Sequence, residues 1–244
     1  MKIGYCTVNP SFELINKLPQ PVLKSVMHDY KNMDVGKCPA VHNIWNNKFS
    51  ISLPYDIELT YEEKDKRVII QEDNSSIDTN TFLSAIIIND PKDYTKYPVI
   101  QLSLEQFFIA DSDCMMTVIP PINEVYKDMW RNIKFVSGSF NIYDWQRNLN
   151  FAFEWLNPDK PLIIKKDEPI MYVQFNTPNL KESFTIERIP FKGAVKESFL
   201  RCRGARGVIK NNTQELMDYN RIFRPDKLMS KCPYSKFKRL FKKS

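Results

Sequence analysis

Five carboxylates lie in or beside strand-like stretches: Asp56, Asp111, Asp113, Asp144 and Glu154. A general acid or base among them needs a cleft and a shifted pKa, whereas acids flanking strands are mostly solvated turn formers. The densest candidate is "SGSFNIYDWQRNLNFAFEW", residues 137–155, which crowds two Trp, three Phe and one Tyr around Asp144. Asn141, Tyr143, Asp144 and Trp145 fall where this stretch should turn, so they are the candidate ligand-binding residues, lining a shallow site or forming a subunit contact. Metal chemistry has little to work with. "HDYKNMDVGKCPAVH" holds the two histidines, His28 and His42, with Cys38 between them, and the spacing matches no standard site. Two histidines also leave little for acid–base catalysis or a Ser-His-Asp triad. No G-x-S-x-G, P-loop or dinucleotide fingerprint is present. The expectation is no catalytic residue, no metal and no cofactor.

The elements that must position these residues read as strands. Apolar residues alternate with polar ones as Phe49, Ile51, Leu53, then Ile57, Leu59, Tyr61, then Ile100, Leu102, Leu104, and again as Leu149, Phe151, Phe153, Trp155. Period two marks half-buried strands. "CMMTVIPP" is a short strand stopped by Pro120 and Pro121, and "PLIIKKDEPIMYVQF" is two strands around a polar turn at Lys165 to Glu168. Residues 62–97 are more polar, with one apolar run, "FLSAIIIND", suited to a hairpin and its loop. Helices are few: a short one in "PQPVLKSVMHDYKN" and a better one in "NNTQELMDYNRIF". In the latter Asn212 can cap, Glu215 takes the third position, and Leu216, Tyr219, Ile222 and Phe223 form an apolar face.

Composition bounds the rest. The chain has 244 residues, 43% apolar, with six Gly against sixteen Pro. That suits a packed core of short strands ending in rigid turns and disfavours glycine-rich phosphate loops. The five scattered cysteines suggest reduced thiols in an intracellular protein. The start lacks a signal peptide's apolar core, and no stretch reaches the roughly 20 apolar residues that span a bilayer. The expected location is a host cytoplasm, or a virion for a phage-encoded chain. Charge is uneven: residues 221–244 carry nine Lys or Arg against one acid, whereas residues 1–220 carry 26 bases and 28 acids. In "PYSKFKRLFKKS", Tyr234, Phe237, Leu240 and Phe241 recur at helical spacing among Lys236, Lys238, Arg239, Lys242 and Lys243. Such a tail suits an anionic partner, nucleic acid or an acidic surface, or docks its aromatics on the body.

Several landmarks resemble a bacterial and phage family that carries no assigned activity: "KCPAVHNIWNNKFSISLPYDIEL" (37–59), "VIPPIN" (118–123), "FVSGSFNIYDWQRNLNFAFEW" (135–155) and "IIKKDEPIMYVQF" (163–175). The last two also look like the β-clip of trimeric dUTPases and dCTP deaminases, in which a Gly-led hairpin floors the nucleotide site. That likeness implies that Gly138 matches the hairpin glycine. The catalytic Asp three residues later would be Asn141, which cannot act as a base on water, and the family's Arg-Ser phosphate motif and Gly-rich arm are missing. The combined expectation is a mostly-β fold, an antiparallel sandwich or a β-clip or jelly-roll-like barrel with few short helices. Residues 1–195 form the β-rich body and 196–244 a helical, basic C-terminal extension. The function expected is non-catalytic binding or structure, by a phage-encoded chain that self-associates or binds a protein partner. The alternative is a nucleotide or small-ligand enzyme or sensor of dUTPase-like fold with altered activity.

Overall fold

The computed structural model describes residues 1–9, 13, 15–29, 37–71, 86–89, 97–122, 127–179, 181–209, 213–224 and 228–229. The basic tail, Lys236, Phe237, Lys238, Arg239, Phe241, Lys242 and Lys243 included, lies outside them, as do Asn212 and much of "FLSAIIIND".

The fold is mostly β and of sandwich type, with short helices and, among the described residues, no closed barrel. Strand β1 (Lys2–Thr7) is followed by β2 (Gln20–Pro21), helices α1 (Val22–Asp29) and α2 (Pro39–Trp45), and strands β3 (Lys48–Ser52), β4 (Ile57–Glu62) and β5 (Arg67–Ile70). Next come β6 (Ile86–Asn89), β7 (Val99–Ser103), β8 (Gln106–Ile109), β9 (Met115–Ile119), helix α3 (Asp128–Asn132), β10 (Ile133–Phe135) and β11 (Gly138–Asn141). The chain continues through β12 (Asn150–Trp155), β13 (Leu162–Ile164), β14 (Pro169–Asn176) and β15 (Thr185–Arg188) to helices α4 (Ala194–Val208) and α5 (Thr213–Phe223).

Among the described residues four open sheets result, ordered β11-β9-β14-β3-β2, β10-β12-β7-β6, β13-β4-β5 and β15-β1-β8. All pairings are antiparallel except β1 with β15, which is parallel. The alternating residues behave as their period demands. Phe49, Ile51, Ile57, Leu59, Ile100, Leu102, Phe151, Phe153 and Trp155 join one apolar cluster to which all four sheets contribute. Burying each such side chain is worth about 1.5–3 kcal/mol. Rings within it meet tilted or edge-on, as Phe151 and Phe153 do at 5.0 Å, the geometry favoured by the aromatic quadrupole.

Two pairings differ from the linear reading. Strands β11 and β12 do not form a hairpin: β11 pairs with β9, placing Gly138 opposite Val118, and β12 pairs with β10 and β7. Likewise β13 joins β4 while β14 joins β3 and β9, so the polar turn between them crosses from one sheet to another. At that turn Asp167 adopts φ 62° and its N–H donates to the Leu53 carbonyl at 2.8 Å.

The β15-β1-β8 sheet is covered on both faces. Ile3, Tyr5 and Phe108 enter the main cluster. Cys6, Phe107 and Ile109 face a second cluster closed by Ile189, by Val195 and Phe199 of α4, and by Leu228. Burial on both faces explains why Gln106–Ile109 is buried at every position. Helix α4 opens at Gly193, whose φ of +53° is one that L side chains rarely adopt. The C-terminal helical stretch therefore starts at Ala194 and packs directly on the body. On the other side, Val22 and Val26 of α1 and Trp45 of α2 pack on Tyr172 of β14.

Candidate functional site

Asn141 ends β11, and its side chain organises the turn that follows. Its Oδ1 accepts from the Tyr143 N–H at 2.9 Å and the Cys114 N–H at 3.2 Å, while its Nδ2 donates to Asp113 at 2.8 Å. The Asp144 and Trp145 N–H groups both donate to the Asn141 carbonyl. An Asx side chain that mimics a backbone turn is the usual way to stop a strand at such a point. The turn thereby lifts Tyr143 and Asp144 toward α5.

Helix α5 and the residue just past its end answer with two arginines, Arg221 and Arg224. Arg221 Nε and Nη2 donate to the two Asp144 oxygens at 3.0 and 2.7 Å, and Nη2 also reaches Asp113 at 2.7 Å. The Asp144 side chain is only 5% exposed, whereas Arg221 is 51% exposed. This fork-on-carboxylate geometry is the strongest form of ion pair, and hydrogen bonding to Asp144 holds the Arg221 guanidinium further into its charged state. Arg224 is fully buried. It lies 3.9 Å over the Tyr143 ring and donates to the Tyr143 and Ala110 carbonyls. Its Nη2 is 3.7 Å from Asp111. Burial lowers its proton affinity, and the carboxylates of Asp111 and Asp144 push the other way.

Below this clamp, Gln146 ties the turn to α4. Its Nε2 donates to the Tyr143 carbonyl at 2.5 Å and its Oε1 accepts from Ser198 at 3.1 Å. Asp111 accepts from the Leu228 and Met229 N–H groups at 2.8 and 3.2 Å, fastening the chain that leaves α5.

The structure thus brings together three of the four predicted residues, Asn141, Tyr143 and Asp144, and all three hold the C-terminal helix in place. Trp145 points elsewhere, half-buried, with Phe140 at 6.3 Å and the Arg147 guanidinium at 5.6 Å from its ring. The expected hairpin floor is absent because β11 and β12 part into different sheets. The remaining carboxylates are also engaged: Asp56 accepts from the Lys166 N–H at 2.8 Å, and Glu154 pairs with Lys134 at 3.2 Å. Among the described residues no group of three His, Cys, Asp or Glu is placed to hold a metal ion.

Arg221 and Arg224 escaped sequence reasoning. The signal available was Leu216, Asn220 and Arg224 at helical spacing, all three buried along α5 and immediately past its end. The apolar face expected on that helix is corrected accordingly: Leu216 is buried, but Tyr219, Ile222 and Phe223 are exposed. The buried face was drawn by apolarity alone, whereas the turn offers carbonyls and carboxylates that reward arginine. A second basic group was also missed. Arg147 lies within electrostatic reach of Arg206 and Arg203 of α4; burial lowers its proton affinity, and those two charges lower it further. No protein-family model matches this chain, and neither does any curated protein sequence.

Proposed function

We propose that this chain is a non-catalytic binding or structural protein that works through its surface. What supports the reading is the engagement of Asp144, the most pocket-like acid in the sequence, by both donors of the Arg221 fork at 3.0 and 2.7 Å. A carboxylate committed to such a pair is poorly placed to move a proton. Asn141 is committed in the same way, its amide oxygen accepting from Tyr143 and Cys114 and its Nδ2 donating to Asp113.

A thermal-shift screen of the full chain against nucleotides and small polar metabolites tests this. The expected outcome is no stabilisation by any of them, with Asp144→Ala lowering Tm equally in their presence and absence. A rise of several degrees with one nucleotide, abolished by Asn141→Ala, overturns the reading in favour of a ligand site.

A further inference from the structure

β11 is an outer strand of the five-stranded sheet, and one edge of it is bare. Just before it, the Val136 N–H donates to the Ala152 carbonyl at 2.9 Å, and just after it the Ile142 N–H donates to the Cys114 carbonyl at 3.0 Å. Bonded pairs in an antiparallel ladder recur at every second residue, so Gly138 and Phe140 direct their backbone groups to Val118 and Met116 of β9. Ser137 and Ser139 therefore turn their N–H and C=O groups away from the sheet. No described residue bonds to them there, and residues 136–139 are all exposed.

An unpaired edge invites a further strand, and proteins commonly guard such edges with charge, proline or a cover. The other outer strands of this fold are guarded. β2 is two residues long and holds Pro21. β10 is centred on Lys134, β5 opens on Arg67, and β15 carries Glu187 and Arg188. β13 lies between Pro161 and Lys165, and β6 runs into Asp90 and Pro91. β8 is buried at every position. β11 has no such device: from Phe135 to Tyr143 the sequence "FVSGSFNIY" holds neither a charge nor a proline.

We infer that β11 is a dimerisation edge, pairing antiparallel with β11 of a second copy about a two-fold axis at Ser139. Antiparallel pairing of a strand with itself is what such an axis produces. Ser139 then meets Ser139, Ser137 meets Asn141, and Gly138 meets Phe140 of the second copy. The two Ser139 residues exchange both of their outward hydrogen bonds across the axis. With no charge in the stretch, no like charges face one another. Gly138 supplies room, since a Cβ there meets nothing within 4 Å. The half-buried Phe140 ring of the second copy extends over that space, and an aromatic ring beside an edge glycine pins the register. A foreign strand fits less well, because two serines and a glycine offer no pocket to select its side chains. The ladder is short and lacks a broad apolar patch, so the dimer is a weak one. This inference does not rest on the reading of the chain as non-catalytic.

Sedimentation equilibrium and hydrogen exchange of the full chain, from low to high micromolar concentration, test the pairing. A monomer–dimer equilibrium is expected, with exchange of the Ser139 amide slowing as concentration rises while the Phe140 amide is protected throughout. Ser139→Pro removes only the outward N–H, which an edge strand tolerates, and Ser139→Lys sets two like charges opposite each other. Both variants should stay monomeric at every concentration and keep the circular dichroism of the parent. Paired Cα atoms about 5.5 Å apart are within disulfide reach. In a chain carrying Cys38→Ser and Cys232→Ser, Ser139→Cys should therefore join position 139 of one copy to 139 of the other on mild oxidation. A monomer at every concentration overturns the inference. So does a dimer that survives both single variants, or one that forms no link between the two 139 positions.

Discussion

Cys6 and Cys114 sit in the two apolar clusters, and burial pushes both thiols up to about 12 from an ordinary value of 9.0. Burial moves Tyr5 from 10.0 to about 12 as well. Between pH 9 and 12 the unfolded chain therefore releases protons that the native chain keeps. The stabilisation is complete below pH 9 and lost as pH rises toward 12. The urea midpoint should be lower at pH 10.5 than at pH 8, and an unchanged midpoint would contradict the burial. Thiol labelling offers a second check. In a chain carrying Cys232→Ser, native labelling at pH 8 should reach the half-buried Cys38 and spare Cys6, Cys114 and Cys202 until the protein unfolds. At the clamp, Asp144→Asn keeps the shape but removes the charge facing Arg221. The loss expected by denaturant titration is about 1.5–3 kcal/mol, the range for hydrogen bonds to charged groups.

Helix α5 shows how far an element can be inferred from its own residues. Its existence was legible in "TQELMDYNRIF", but the side it buries was not, because Asn220 and Arg224 go inward where a periodicity argument places Tyr219, Ile222 and Phe223. Their partners, Ala110, Tyr143 and Cys202, stand eighteen or more residues away along the chain. The same limit applies to β11 and β12. Alternation at Leu149, Phe151, Phe153 and Trp155 announced a strand with one buried side, and that side is fully inside. Which strands lie beside it depends on residues 99–103 and 133–135, and no local pattern specifies them. Substitution separates the two sides of α5. Leu216→Ala should cost about 2–5 kcal/mol by opening a cavity, whereas Ile222→Ala, at 74% exposure, should stay within about 0.5 kcal/mol. In β1, a methyl group on Gly4 would come within 2.8 Å of Ile189 and 2.9 Å of Ile109. Gly4→Ala should therefore destabilise by about 1–3 kcal/mol through overpacking.

At the scale of the whole molecule, the separation of body and extension drawn from composition meets a shared core. Charge changes only at residue 221, inside that extension, and it says nothing about what the helix covers. Val195 and Phe199 close a cluster with Phe107, Ile109 and Cys6. A chain ending at Lys192 should consequently bind a hydrophobic dye and unfold at a lower temperature; an unchanged midpoint would make α4 dispensable. Strand β1 carries a consequence of a different kind. Its neighbours are residues 106–109 on one side and 185–188 on the other, so this strand is made well before either partner. At translation rates of 5–20 residues per second, it waits roughly ten to forty seconds for β15 to be made. Until residues 106–109 are made "KIGYCT" has two unpaired edges, and one until β15 follows, a natural target for a chaperone and the point at which a stalled nascent chain would begin to aggregate.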